Sequence, residues 1–137
     1  MKNNHLLKEK FKLGEQFYNW EFELDFLPQR VEGYDSFEFI GANTLYFLGL
    51  YVDSAELLFN ADFLTAVILT FRKEECSSET LIERLSSVGY VSSESVLSYD
   101  VYISTNKNSP SYYVSKNCPE KMVYGKRRFM KKHLASL

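Results

Sequence analysis

The chain has 137 residues, of which 45% are hydrophobic and 16% aromatic, and its formal net charge is −2. This length is typical of a single domain, here 1–137, that buries roughly two-thirds of its unfolded surface. The small net charge argues against a general nucleic-acid-binding protein, which usually carries a strong basic excess. The longest apolar runs, of about nine residues, are too short to span a bilayer as a helix, so no membrane partner is expected.

The N-terminal sequence MKNNHLLKEKFKLGEQ lacks the continuous apolar region of a signal peptide, so a cytoplasmic location is expected. Residues 5–19 predict an amphipathic helix that breaks near Gly14, because glycine inside a helix costs about 1 kcal/mol relative to alanine. The apolar positions of this helix are Leu6, Leu7, Phe11, Leu13 and Phe17.

A strict alternation of polar and apolar residues follows in Glu21–Leu27 and predicts a half-exposed strand that ends at Pro28. A period of two places the apolar side chains, Phe22, Leu24 and Phe26, on one face. The outward face then carries three carboxylates in a row.

Two long apolar runs, Thr44–Val52 and Phe63–Phe71, predict strands that are buried on both faces. A short strand, Ser36–Ile40, is predicted before them. Turn-type residues at Asp53-Ser54 separate the runs, so Ala55–Asn60 is predicted as a short strand of an antiparallel meander, with a helical turn as the alternative.

The pattern becomes helical over residues 78–88. Ser77 or Ser78 can cap this helix at its N-terminus, and Gly89 stands where a helix-terminating glycine is common. The helix has an apolar stripe, formed by Leu81, Ile82, Leu85 and Val88.

Alternation returns in Val96–Thr105, which predicts a strand, and a short strand at Ser111–Ser115 follows in hairpin spacing. Met122–Tyr124 is either a last strand or the approach to a basic amphipathic helix at 126–136. Strands in runs favour an α+β single domain with a largely antiparallel sheet of about five to seven strands. Its helices are expected near the N-terminus, at about 78–88 and at the C-terminus.

Charge is strongly segregated along the chain. Residues 13–71 contain ten acidic residues and one base, Arg30, a local charge of −9, whereas residues 107–137 contain eight bases and one acid, Glu120, a local charge of +7. An acidic sheet face or edge with nearby tyrosines (Tyr34, Tyr46 and Tyr51) would attract a basic protein. The candidate partner-binding residues are Glu21, Glu23, Asp25, Asp35, Glu38, Asp53, Glu56 and Asp62.

Each charged region also has a simpler interpretation. Outward strand positions must be solvated, and carboxylates keep sheet edges from pairing. The basic residues of 126–132 suit an ordinary solvated helix, an intramolecular pairing with the acidic half, or a nucleic-acid or acidic-lipid surface. Nucleic acid is not the expected partner.

No catalytic or cofactor motif is present. The two histidines, His5 and His133, lie in the predicted terminal helices, and neither clusters with a cysteine. Cys76 and Cys118 are expected to be reduced thiols, with a single disulfide as the alternative. The sequence therefore predicts no enzyme, no cofactor and no metal site.

The acidic strand Glu21–Asp25, the apolar meander NTLYFLGLYV and FLTAVILTFRK, and the helix ETLIERLSSVGY resemble the small α+β domains of bacterial toxin immunity proteins, including those of contact-dependent growth inhibition. The resemblance implies a non-enzymatic inhibitor, monomer or homodimer, whose acidic patch covers the basic site of a toxin such as a nuclease. The basic C-terminal helix departs from an all-acidic pattern. The alternatives are a small-ligand-binding domain with an aromatic-lined pocket and an enzyme that uses the acidic residues.

Overall fold

The computed structural model describes residues 10–41, 45–106 and 109–137. In these residues, nine strands form one sheet, and every pairing is antiparallel. The strands are β1 (Leu24–Val31), β2 (Tyr34–Phe39), β3 (Leu45–Phe47), β4 (Leu50–Asn60), β5 (Phe63–Phe71), β6 (Val91–Val96), β7 (Tyr99–Ile103), β8 (Tyr112–Ser115) and β9 (Lys121–Gly125). Two α-helices accompany them, α1 (Ser78–Ser87) and α2 (Arg127–His133).

The sheet consists of two meanders joined along one central seam. Its strand order is β1-β2-β4-β5-β9-β8-β7-β6, and β3 pairs with the first part of β4. The meanders meet where β5 pairs with β9, with Val67 opposite Tyr124 and Leu69 opposite Met122. Val67 and Met122 are completely buried. The seam therefore lies at the centre of the hydrophobic core.

The first face of the sheet is covered by α1 and by residues 10–20. Leu81 and Leu85 of α1, and Phe11 and Trp20 of the N-terminal segment, are buried in one cluster with the strand residues. The hydroxyl of Tyr124 donates a hydrogen bond to the carbonyl oxygen of Phe11 (2.5 Å). This bond ties the N-terminal segment to the seam.

The second face is covered by α2 and by the short 3₁₀ turn that follows it, Leu134–Ser136. Phe129 and Met130 of α2 are buried in a cluster with Ala66. Gly125 is opposite Ala66, and a Cβ atom at Gly125 would lie 2.7 Å from Met130 Sδ and 3.0 Å from Ala66 Cβ. A glycine at this position lets α2 begin directly against the sheet.

The predicted sheet of five to seven strands with an N-terminal helix is wrong. Leu6 and Leu7 lie outside the described residues, and residues 10–16 are not helical. Gly14 has φ +90, and the backbones of Gly14 and Glu15 hydrogen-bond to Leu64 at the start of β5. These strand-like bonds replace those of a helix over residues 10–16, and 3₁₀ segments follow at Phe17–Asn19 and Glu21–Glu23.

One predicted single strand, Thr44–Val52, is a hairpin, and the predicted strand Val96–Thr105 is β7 with the turn that joins it to an unpredicted strand, β6. Within Thr44–Val52, Leu48 (φ 57) and Gly49 (φ 73) form a two-residue turn between β3 and β4, as the favoured type I′ hairpin requires. Leu97 (φ 55) likewise lies in the turn between β6 and β7. Leucine rarely adopts this backbone conformation, so the pattern gave no turn signal.

The predicted turn at Asp53-Ser54 is not a turn. Strand β4 continues through it, and the pairing with β5 shifts register between Val52 and Ser54. The prediction failed because a β-bulge and a turn favour similar polar residues. Ala55–Asn60 is therefore the second part of β4, and neither an independent strand nor a helical turn.

The strand predicted for Glu21–Leu27 begins later and ends later. Glu21–Glu23 form a 3₁₀ turn, and β1 runs from Leu24 through Pro28 to Val31. Because β1 lies at the end of the strand order, proline can be accommodated there without loss of a bond to a second neighbour. The register of β1 on β2 does shift between Leu27 and Val31, around Pro28.

The helix near 78–88 is present as α1, and its predicted N-terminal cap is confirmed. Ser77 Oγ accepts a hydrogen bond from the backbone N–H of Thr80 (3.2 Å), and Gly89 follows the helix with φ +93. Met122–Tyr124 lies in a last strand, β9. The predicted C-terminal helix is α2, which is shorter than 126–136.

Candidate functional site

Three of the predicted carboxylates form a row across neighbouring strands. Asp25 of β1 is opposite Glu38 of β2, and Glu38 is opposite Glu56 of β4. Side chains directly opposite in antiparallel strands have Cβ atoms about 5 Å apart, and like charges at that spacing are destabilising. The row of carboxylates therefore destabilises the fold locally, so the needs of folding do not explain its presence.

Asp25 and Glu38 lie on a part of the second face that α2 leaves uncovered, whereas the side chain of Glu56 is only 16% exposed. Side chains two residues apart on a strand share a face, so Glu56 lies on the same face as Leu58, which is buried in the α2 cluster. Asp25 and Glu38 are nevertheless exposed, as is Ile40, which follows on the same face and is 52% exposed. The helix protects the seam but does not extend to this corner.

One member of the row is neutralised. Arg30 donates two hydrogen bonds to the carboxylate of Glu56, from Nε at 2.7 Å and from Nη2 at 2.6 Å. The hydrogen bond with Glu56 raises the pKa of Arg30. Asp25 and Glu38 make no ion pair within the described ranges.

Two phenylalanines are exposed beside these carboxylates. Phe22 is 92% exposed in the 3₁₀ turn before β1, and Phe26 is 69% exposed within β1. The ring of Phe26 contacts that of Phe37, which is only partly buried (centroids 5.7 Å apart). We call these two rings, together with the carboxylates of the same corner, the acidic edge; these carboxylates are Glu21, Glu23, Asp25 and Glu38.

Glu21 and Glu23 belong to this corner because their turn adjoins the end of β2. The backbone N–H of Ile40 donates to the carbonyl oxygen of Glu23 (2.7 Å). Glu21 is exposed and Glu23 is half-buried. Five of the eight predicted residues, Glu56 included, are therefore close together.

The other three predicted carboxylates lie elsewhere. Asp35 is on the opposite face of β2 from Glu38 and accepts a hydrogen bond from Gln29 (3.3 Å). Asp53, at the bulge of β4, is 3.9 Å from Arg72. Asp62 is exposed in the turn between β4 and β5. The eight residues do not form one continuous surface.

The tyrosines expected beside the carboxylates also lie elsewhere. Tyr34 packs on α2, and Tyr46 contacts Tyr51, whose ring lies 3.7 Å from the guanidinium of Arg72. Sequence reasoning missed the exposure of Phe22 and Phe26, because alternation indicates a strand but not which side is covered. Pro28 and the dense carboxylates were the available signals of an edge strand.

The acidic and basic halves of the chain do not neutralise each other in the parts that the structure describes. Ion pairs there join Arg30 to Glu56, Arg72 to Asp53 and Glu75, and Lys116 to Asp100. None of them joins residues 13–71 to residues 107–137. Both charged surfaces therefore face solvent.

The basic surface borders a cleft on the second face, between α2 and the starts of β2 and β5. Its volume is about 410 Å³. The term basic cleft is used for its lining, which comprises Tyr34, Asn60, Ala61, Phe63, Thr65, Lys126, Arg128, Phe129, Lys132 and His133. The ring of Tyr34 contacts those of Phe129 (4.8 Å between centroids) and His133 (5.5 Å), which gives one wall a fixed shape.

A second, much smaller cavity lies under the first-face cover. It measures about 20 Å³ and is lined in part by Phe11, Phe47 and Tyr124. That volume holds about one water molecule. It is far below the size of a small-ligand pocket.

Both cysteines are free thiols. Burial raises the pKa of Cys76 from 9.0 to about 11, and burial, followed by the neighbouring Glu120, raises the pKa of Cys118. Both thiols are therefore protonated at neutral pH, and the thiolate is the nucleophilic form. No group of three His, Cys, Asp or Glu residues within the described segments is placed to hold a metal ion.

Among the described residues, neither helix has the length and hydrophobicity needed to cross a membrane. Comparison of the chain with models of protein families, with curated protein sequences and with solved structures gave no match.

Proposed function

We propose that the chain is a non-enzymatic protein-binding module whose acidic edge binds a basic protein. The observation that carries the proposal is the exposure of Phe22 and Phe26, at 92% and 69%, among carboxylates without ion-pair partners in the described residues. Exposed aromatic residues with a polar rim are typical of interaction sites. Aromatic anchors supply affinity, and complementary charge supplies association rate and specificity.

The position of Asp25 and Phe26 on the edge strand, with the other residues beside it, supports docking along β1. Asp25 and Glu38 lie on the second face, whereas the ring of Phe26 lies against Phe37, a residue packed on the first-face core. A partner that adds to the edge of β1 would meet both faces at once. Edge addition is a recurring mode of protein recognition, in which side chains of both faces supply specificity.

The more specific proposal is an immunity protein that neutralises a cognate basic toxin in the bacterial cytoplasm. A nuclease is the expected kind of toxin, because a site that binds nucleic acid is rich in Lys and Arg. An acidic edge is complementary to such a site in charge. The proposal requires no cofactor and no catalysis, and it is compatible with a monomer or a homodimer.

The test is affinity capture from lysate of the source cells with three tagged baits, followed by mass spectrometry and by titration of the captured protein. The baits are the wild type, the edge variant Glu21→Lys/Asp25→Lys, and a control with the same charge change, Glu74→Lys/Glu83→Lys. Glu74 and Glu83 are exposed and lie away from β1. We expect a basic protein that binds the wild type and the control, and whose affinity for the edge variant falls at least about tenfold.

The immunity function is then tested by co-expression. The captured protein should arrest growth alone and should be tolerated with the wild-type chain, but not with Glu21→Lys/Asp25→Lys. Equal loss of capture by both variants would show that binding depends on the net charge of the chain and not on the acidic edge. Undiminished capture by the edge variant would exclude the acidic edge as the interface.

A further inference from the structure

The basic cleft concentrates positive charge without compensation. Lys126, Arg128 and Lys132 line it, and no carboxylate belongs to its described lining. None of the three bases makes an ion pair with a carboxylate of the described residues. Asp62 lies between two lining residues, Ala61 and Phe63, in the chain but does not itself line the cleft. A concave surface of one charge sign focuses the field on an anion.

The cleft also offers aromatic rings. Phe63 is 44% exposed, although almost every other residue of β5 is buried. The rings of Tyr34, Phe129 and His133 also line the cleft and contact one another. An exposed ring held at the start of a rigid strand is suited to stacking against a planar ligand.

We propose that the basic cleft binds a nucleoside phosphate, either as a free nucleotide or as a unit of a single-stranded nucleic acid. The guanidinium of Arg128 and the ammonium groups of Lys126 and Lys132 would hold the phosphate, and Phe63 would stack on the base. The volume of about 410 Å³ lies in the range of small-ligand sites. This site shares no residue with the acidic edge and is independent of the function proposed there.

Helix α2 supplies a matched control for this proposal. Arg128 and Lys132 are four residues apart on one side of the helix and line the cleft, whereas Arg127 and Lys131 are four residues apart on another side and do not. All four are exposed. The variants Arg128→Ala/Lys132→Ala and Arg127→Ala/Lys131→Ala therefore remove the same charge from the same helix, and only the first removes it from the cleft.

The experiment is isothermal titration of the full chain with four probes at physiological salt: inorganic phosphate, adenosine, adenosine 5′-monophosphate and a short single-stranded oligothymidylate. We expect the monophosphate to bind more tightly than either phosphate or adenosine. The variant Arg128→Ala/Lys132→Ala should bind the monophosphate roughly tenfold or more weakly than the wild type, because it loses hydrogen bonds between charged groups. Loss of the control pair should change affinity by less than about twofold. Phe63→Leu should remove the advantage of the monophosphate over inorganic phosphate.

The oligothymidylate distinguishes the two sources of the ligand. Binding of the strand well above that of the monophosphate, with the same dependence on Arg128 and Lys132, would assign the site to single-stranded nucleic acid. Comparable or weaker binding of the strand would assign it to free nucleotides. The proposal is overturned if no phosphate probe binds at millimolar concentration, or if the cleft and control pairs weaken binding equally.

Discussion

The central seam and the acidic edge belong to one sheet but differ in almost every physical property. Strand β5, at the seam, is covered on both faces, and only its first residue, Phe63, is exposed. Strand β1, at the edge, has one buried residue, Val31, and exposes both carboxylate and aromatic side chains. The residues of β5 are apolar apart from Thr65 and Thr70, whereas β1 mixes apolar with charged and polar residues.

This contrast separates stability from binding. Apolar burial at the seam contributes about 25 cal/mol per Å² of surface removed from water, so the seam supplies much of the folding free energy. The edge opposes folding in part, since Asp25 and Glu38 are like charges in register that make no ion pair within the described residues. Changes at the seam should therefore alter stability, and changes at the edge should alter partner binding.

The largest expected effect is from Met122→Ala at the seam. Met122 is completely buried opposite Leu69, and truncation of such a residue costs about 2–5 kcal/mol. Urea denaturation followed by circular dichroism should show this loss. Phe26→Ala is the control at the edge and should cost much less, because its ring is 69% exposed. Similar losses of unfolding free energy in both variants would show that the seam and the edge contribute equally to stability.

A smaller loss is expected from Gly125→Ala. The added methyl group would lie 2.7 Å from Met130 Sδ, 3.0 Å from Ala66 Cβ and 3.1 Å from the backbone oxygen of Thr65, so the Met130 side chain or the start of α2 must shift. Such overpacking costs about 1–3 kcal/mol. Chemical shifts of Phe129 and His133 in the basic cleft should change along with stability. Wild-type stability together with unchanged shifts would show that α2 does not depend on this close approach.

A gain in stability is expected from Glu38→Gln at the edge. Removal of this charge relieves its repulsion with Asp25, which is worth about 0.5 kcal/mol, whereas Glu56 is already paired with Arg30. The same change should weaken binding of a basic partner. Glu83→Gln on α1 is the control and should alter neither property. A destabilised Glu38→Gln variant would contradict the assignment of the row as an electrostatic cost.

The smallest effect concerns Cys76 and is confined to alkaline pH. The unfolded thiol loses its proton near 9.0, whereas burial raises the pKa of the folded thiol to about 11. Its contribution to stability is therefore complete below pH 9.0 and is lost as pH rises toward about 11. Cys76→Ala should reduce the slope of unfolding free energy against pH in this window. An unchanged slope in Cys76→Ala, relative to the wild type, would exclude this linkage.

Features with a strong local signal were predicted well. The cap of α1 at Ser77 depends on residues three apart in the chain, and β5 is a largely apolar run of nine residues. The hairpin turns at Leu48 and Leu97 were missed, because leucine with positive φ is recognisable only once the surrounding strands are placed. Strand β6, with the polar sequence VSSESV, has almost no buried residue and hence no pattern.

The candidate sites were predictable only in part. The carboxylates of residues 21–25 were identified from alternation, but the inference that Phe22 and Phe26 shared one face did not reveal that both are exposed. The basic residues of α2 were evident, yet the cleft also needs Tyr34 and Phe63 from distant strands. The assignment of the acidic edge to partner binding stays a prediction.

The sequence by itself determined where apolar surface and charge of each sign lie along the chain, because these are properties of neighbouring residues. Only the tertiary structure decided that β5 pairs with β9, that Asp25, Glu38 and Glu56 stand in register, and that α2 forms a cleft with the starts of β2 and β5. Register depends on turns and bulges, and a shift of one residue moves every side chain to the other face. Pairing between distant strands is selected by burial of the whole core, which no local pattern specifies.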